Sequence, residues 1–161
     1  MEKFETVEAR VSSKATQDPP HLRYYPAHRL VAWQPHRVLD DSLVDEIIAW
    51  VLVAEKASPQ PFNRYVDLTC LTRISLQIGH VFSIARKRRE DYKGLAPVRA
   101  AFFSDKLVGF GIARLYETLM ENSHLEARAF RDRATAAEWL AVPVEILNLK
   151  DEAAPSSREA S

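Results

Sequence analysis

Apolar and polar positions along this chain repeat with two periods, one near two residues and one near 3.6, and their order predicts an α/β domain. Residues 21–25 and 29–33 read as short strands that face each other across Pro26, an opening hairpin. Asp41 or Ser42 is then placed to cap a helix running to about Lys56, with Asp45 and Glu46 in the turn where the helix dipole favours acids. Leu43, Ile47, Val51 and Ala54 make its apolar stripe, and Val44, Ile48 and Leu52 widen it beyond what one sheet face needs. That width is most simply burial under a neighbouring helix or under the N-terminal arm, and the sharper alternative is a dimer seam.

The pattern continues in the same alternation. Residues 65–68 read as a short buried strand, 69–73 as a polar loop, and Ser75 as the cap of a second helix. That helix is expected to bury Ile78, Val81, Phe82, Ala85 and Tyr92 and to stop near Gly94. Strands follow at 97–103 and 125–130, separated by a helix from about Lys106 to Met120 whose stripe carries Val108, Gly111, Ile112, Leu115 and Leu119. Asp132 caps a closing helix through Trp139 and Leu140, Pro143 ends it, and 144–149 add a short packed segment. Strands joined by crossover helices require a largely parallel sheet with right-handed connections.

Composition adds bounds. At 161 residues the chain fits one domain over 21–149, flanked by a polar N-terminal arm (1–20) and a polar tail (150–161) that reads as disordered. The formal charge is zero, which removes the electrostatic case for a nucleic-acid or membrane-surface binder. Cys70 stands alone and makes no internal disulfide, no basic-then-apolar leader opens the chain, and the longest apolar run, 47–54, is too short to span a bilayer. A cytoplasmic setting is the expectation.

Candidate chemistry is sparse. Arg86, Lys87, Arg88 and Arg89 are the densest charge cluster, but successive helical residues turn about 100° each, so they fan around the helix. Arg89 is expected at the margin of the packed face, its stem over apolar surface; the other reading gives Arg86, Arg88 and Arg89 an anion or an acidic partner. Gly109, Phe110 and Gly111 open a helix with Arg114 nearby, an arrangement able to hold a phosphate or carboxylate. It lacks the third glycine of a dinucleotide fingerprint and the Gly-Lys-Ser/Thr of a P-loop, and Gly111 on the apolar stripe reads as a packing glycine. The five histidines are scattered singly, so no metal set, no cofactor and no nucleophile–base–orienter set can be assembled.

Val66-Asp67-Leu68-Thr69-Cys70-Leu71-Thr72-Arg73-Ile74 resembles the strand and loop that lead into the characteristic helix of STAS domains, the SpoIIAA-like fold of anti-sigma-factor antagonists. Leu30 to Trp33, Pro61 to Arg64, Ala85 with Arg88, Arg89 and Tyr92, Val98 to Phe103, Ile112 to Arg114 and Ala137 to Leu140 extend the likeness to an uncharacterised bacterial branch, itself similar to the lipid-binding CRAL-TRIO fold. The resemblance implies a single sheet with an N-terminal hairpin, then alternating helices and largely parallel strands. In the phospho-switched antagonists the helix opens with Asp-Ser-Ser-Gly; here Ser75 takes the aspartate place, and Leu76 and Gln77 take the two serine places, so that switch is missing.

Function follows from the resemblance as two expectations. The first is a non-enzymatic regulatory or scaffolding domain that binds a protein partner, as a dimer, through a rim of Thr69, Thr72, Arg73 and Ser75 beside the 104–111 turn with Gly109, Phe110 and Arg114. The alternative is a module that holds a lipid or anionic metabolite between sheet and helix. A deep pocket lined by Val108, Phe110 and Ile112 would favour the second; a flat apolar face on the 41–56 helix would favour the first.

Overall fold

The computed structural model describes residues 18–149. In chain order these form β1 (Leu22–Tyr25), a 3-10 turn (Pro26–His28), β2 (Leu30–Trp33), β3 (Arg37–Asp40) and α1 (Asp41–Ala57). There follow β4 (Asn63–Asp67), β5 (Leu71–Ser75), α2 (Ile78–Asp91), β6 (Val98–Phe103), α3 (Leu107–Leu119), β7 (Leu125–Phe130), α4 (Arg133–Leu140) and a last 3-10 turn (Val144–Leu147). The main sheet has the order β1-β2-β4-β6-β7. Its β1–β2 pair is antiparallel, as expected of the opening hairpin, and the other pairs are parallel. The chain is therefore an α/β protein whose mostly parallel sheet alternates with helices.

Period-two alternation sorts the side chains into two layers. Leu30, Ala32, Tyr65, Ala101, Phe103 and Phe130 pack on one face against Ala136, Ala137 and Leu140 of α4 and Leu147 beyond it. The opposite face takes α1, α2 and α3: Val31 meets Val51, Trp33 and Val66 meet Leu43, Val44 and Ile47, and Ala100 and Phe102 meet Ala85, Tyr92 and Tyr116. Three right-handed crossovers between strands running the same way put three helices on one side.

A second, two-stranded parallel sheet pairs β3 with β5. It was hidden in sequence. Residues 69–73 read there as a loop, whereas β5 begins at Leu71, and β3, from Arg37, was not foreseen. Arg37 has φ 68°, a left-handed kink between β2 and β3, and the break between β4 and β5 is only Leu68 to Cys70. Because β2 pairs with β4 and β3 with β5, both strands bend at the same level and go on together as a ribbon. Its inner side, Leu39 and Leu71, joins Trp33 and Leu68 in one cluster over α1.

This ribbon displaces the predicted caps. Ser75 ends β5 and caps nothing; α2 starts at Ile78, behind Gln77, which makes no side-chain capping bond. Asp40, one residue before the expected pair, caps α1 by accepting from Leu43 N at 2.9 Å. Asp41 instead accepts from Gln77 N at 3.1 Å and ties the starts of α1 and α2 together. Asp132 caps α4 as predicted, accepting from Thr135 N at 2.8 Å; that bond and one from the Thr135 hydroxyl hold its carboxyl below the ordinary aspartate value. Gly94, at φ 78°, stands where the left-handed backbone after α2 demands it. No helix of the described residues is long and apolar enough to cross a membrane. The predicted arm, apart from residues 18–20, and the predicted tail lie outside the described residues.

Candidate functional site

The helix-covered face of the sheet does not close. A cavity of about 160 Å³ lies between it and α1, α2 and α3, walled by Ile47 and Val51 of α1, Val66 of β4, Val81 and Ile84 of α2, Phe102 of β6 and Ile112 and Tyr116 of α3. The wide stripe on α1 is thereby explained: Val44, Ile47, Ile48 and Val51 line this space. Of Val108, Phe110 and Ile112, whose lining of a pocket would have favoured the ligand reading, only Ile112 stands on its wall.

Arg64 and Arg88 also stand on the cavity wall, 6% and 5% exposed. Arg64 is on β4 at the same parity as Val66, so alternation turns it inward. Arg88 comes from α2 on the face of Val81, Ala85 and Tyr92, all buried. The expectation for this helix is corrected here: Ile78 and Phe82 are exposed, and Arg88 rather than Arg89 is drawn into the packed face. Residues 81, 85, 88 and 92 keep one helical face together, and 78, 82 and 89 fall off it. Arg89, on the surface, donates to the carbonyls of Leu119 and Glu121 at 3.1 and 2.6 Å and ties the end of α2 to the end of α3.

One carboxylate meets Arg64 directly and Arg88 only through the Tyr92 hydroxyl. Arg64 Nη2 donates to Glu55 Oε1 of α1 and, at 2.8 Å, to the Tyr92 hydroxyl, which itself donates to Glu55. Arg88 Nη2 donates to the same hydroxyl at 3.1 Å, and its guanidinium lies 4.9 Å from the Tyr92 ring centre. Burial pushes the Tyr92 phenol up to about 12, against the pull of Arg64 and Arg88, and raises Tyr116 as well, so both remain protonated donors at neutral pH. Arg64 Nε and Nη1 are buried and make no hydrogen bond, whereas the Arg88 guanidinium also meets the Tyr116 hydroxyl and pulls against the effect of its burial. Each such unsatisfied donor costs about 1–3 kcal/mol, more when charged.

The predicted rim is differently built. Lys106 Nζ donates to Leu71 O at 2.9 Å, so the turn before α3 does meet the ribbon, as parallel topology required. Thr69 donates through its backbone N and its hydroxyl to Asp67 Oδ1 at 2.9 and 2.6 Å, and Thr72 donates to Arg37 O at 2.9 Å. Arg73 and Ser75 are exposed on β5. Gly109 is buried, and a Cβ there would lie 2.4 Å from Ser104 Oγ, whereas Gly111 is exposed with nothing near it. The packing glycine is thus Gly109, not Gly111 as predicted. Phe110 lies under the Arg131 guanidinium at 5.3 Å, and Arg114 pairs with Glu117 of its own helix at 3.2 Å. Arg86 is exposed. The structure gathers Thr69, Thr72, Arg73 and Ser75 around the ribbon and separates them from Arg88, which belongs to the cavity.

Sequence reasoning missed Arg64, Glu55 and Tyr116 as a group. The available signal was Arg64 at the inward parity of a core strand, a place where arginine is almost never buried unpaired. Among the described residues no group of three or more His, Cys, Asp or Glu side chains could hold a metal.

Among solved structures the chain is similar to an uncharacterized protein of the DUF3478 family with a SpoIIAA-like fold from Shewanella loihica PV-4. The two share 16% identity over 69% of this chain and 83% of that one, with a TM-score of 0.43. No protein-family model and no curated protein matches the chain.

Proposed function

We propose that the domain is a non-enzymatic binding module that encloses a small amphiphilic molecule between its sheet and α1–α3. The observation that carries this is the cavity itself. A space of about 160 Å³ under three helices, almost wholly apolar and open to the surface on one side, leaves apolar side chains uncovered that an apolar or amphiphilic guest would cover. Ala113, 2% exposed, stands on its wall. Ala113→Leu is expected to fill part of the space, gain about 1 kcal/mol of stability and abolish uptake of small apolar and amphiphilic probes. Thermal unfolding and backbone NMR titration of both proteins check it; probe shifts that survive at Val51 and Val66 in the variant would place binding elsewhere.

A protein-interaction role for the rim has its own support. Leu107 and Val108 are 75% and 68% exposed and Ile78 60%, in the first turns of α2 and α3, two helices that pack on each other. Exposed apolar side chains of this size are a feature of association surfaces. The occupant that this reading names is a second copy of the chain. Arg73→Glu is expected to dissociate the dimer in sedimentation velocity without moving the melting temperature, and a dimer that persists would show the rim to be the wrong surface.

A further inference from the structure

The ties between α1 and α2 locate the opening of the cavity. Asp41 accepts from Gln77 N at 3.1 Å, Asp45 Oδ1 meets His80 Nε2 at 2.8 Å, and Glu55 accepts from the Tyr92 hydroxyl. The paired residue numbers rise together, so the two helices run side by side in the same direction. α2 packs on α3, whereas α1 and α2 touch only sparsely. Long side chains, those of His80 and Tyr92, bridge the gap near its two ends. Asp45 and Glu55 lie ten residues apart, about 15 Å along α1. Between the ties, Ile48 of α1 and Ile84 of α2 stand half-buried on the cavity wall. The cavity therefore opens sideways, through a slot between α1 and α2.

The lining decides what can lie inside. It is almost wholly apolar. Arg64 and Arg88 stand on the wall, but Nη2 of each is engaged by the Tyr92 hydroxyl, and Arg88 also meets Tyr116. Arg64 Nε and Nη1 and Arg88 Nη1 are shielded by protein. A charge brought into this space would lose its water and find no partner. The volume is about 160 Å³, and an apolar cavity of about 150 Å³ takes up benzene. A helix of another chain, about 10 Å across, does not fit such a space.

We infer that the enclosed part of the guest is an uncharged, apolar body about one ring in size, and that its polar end emerges through the slot beside Ile48 and Ile84. This rests on the binding-module reading and adds the chemistry of the enclosed part and the outlet for the rest.

Two matched pairs of probes, titrated into the full chain and followed by NMR, test both points. Toluene and benzoate differ by a methyl against a carboxylate on the ring; butylbenzene and 4-phenylbutanoate carry the same difference beyond three methylenes. Toluene is expected to bind about a hundredfold or more tightly than benzoate, whose charge would be buried unpaired. Butylbenzene should exceed 4-phenylbutanoate by about tenfold or less, because that carboxylate reaches water. Ile48→Lys sets a cation beside the slot and should tighten 4-phenylbutanoate relative to butylbenzene by about threefold. Should that variant not fold, the Ile48 and Ile84 amides of the unaltered protein must shift differently with 4-phenylbutanoate than with butylbenzene. Benzoate as tight as toluene overturns the uncharged interior. An equal penalty in the two pairs, or no response at Ile48 and Ile84, overturns the outlet. In each of these cases a guest is still bound and the binding-module reading stands. Failure of all four probes to bind overturns the inference and that reading together.

Discussion

Glu55→Ala is expected to destabilise the domain by about 3 kcal/mol, the lower end of what breaking a buried ion pair costs. The Glu55 side chain is 19% exposed and that of Arg64 7%, so solvent screens part of the loss but cannot reach the guanidinium itself. Removing the carboxylate leaves Arg64 and Arg88 as two like charges on either side of Tyr92 and takes the acceptor from the Tyr92 hydroxyl. Glu55→Gln keeps an acceptor oxygen without the charge and should fall between the two. Urea denaturation measures both midpoints, with the dependence on denaturant as a check that the native state stays compact. An alanine variant within about 0.5 kcal/mol of the parent would mean that the guanidiniums are satisfied by groups other than Glu55.

A comparable loss, about 3–5 kcal/mol, is expected for Asp67→Ala on the opposite face of the sheet. Asp67 is fully buried. Its Oδ2 accepts from Gln34 Nε2 at 3.1 Å, its Oδ1 from the backbone and hydroxyl of Thr69, and Arg133 Nη2 of α4 stands 3.8 Å away. One carboxylate thus fixes the bend where β4 passes into β5, the neighbouring bend after β2 through Gln34, and the start of α4. Alanine strands all of these donors at once. Asn, which keeps one acceptor oxygen for Thr69 but opposes an amide to Gln34, should lose less. Thermal unfolding of the two variants gives the order, and an alanine variant that melts with the parent would show that water or a neighbour has replaced the carboxylate.

Much of the layering was legible because it is local. Val98 to Phe103 is an apolar run broken only by Arg99, as a central strand covered on both faces requires, and the α1 stripe was broad enough to show that more than a sheet face covered it. The ribbon was not legible: four- and five-residue strands carry little periodicity, and Pro35 and Thr69 are residues that ordinarily mark turns. Ser75 misled for the same reason, since a serine before an apolar run looks like a cap whether or not the chain is still extended. The choice of Arg88 over Arg89 turned on one helical step of about 100°, which a start misplaced by three residues is enough to confuse. The candidate site was the least legible part. Glu55, Arg64, Arg88, Tyr92 and Tyr116 come from four separate stretches of chain, and nothing in any one stretch announces the hole they surround.

Arg88 and Ile78 sit on one uninterrupted helix, about 15 Å apart along its axis at 1.5 Å per residue. A stiff rod pulled at one end swings at the other. A guest that drew Arg88 towards the sheet would therefore tip Ile78 and Phe82 at the far pole, and occupancy of the interior would be legible from outside as the pitch of a single lever.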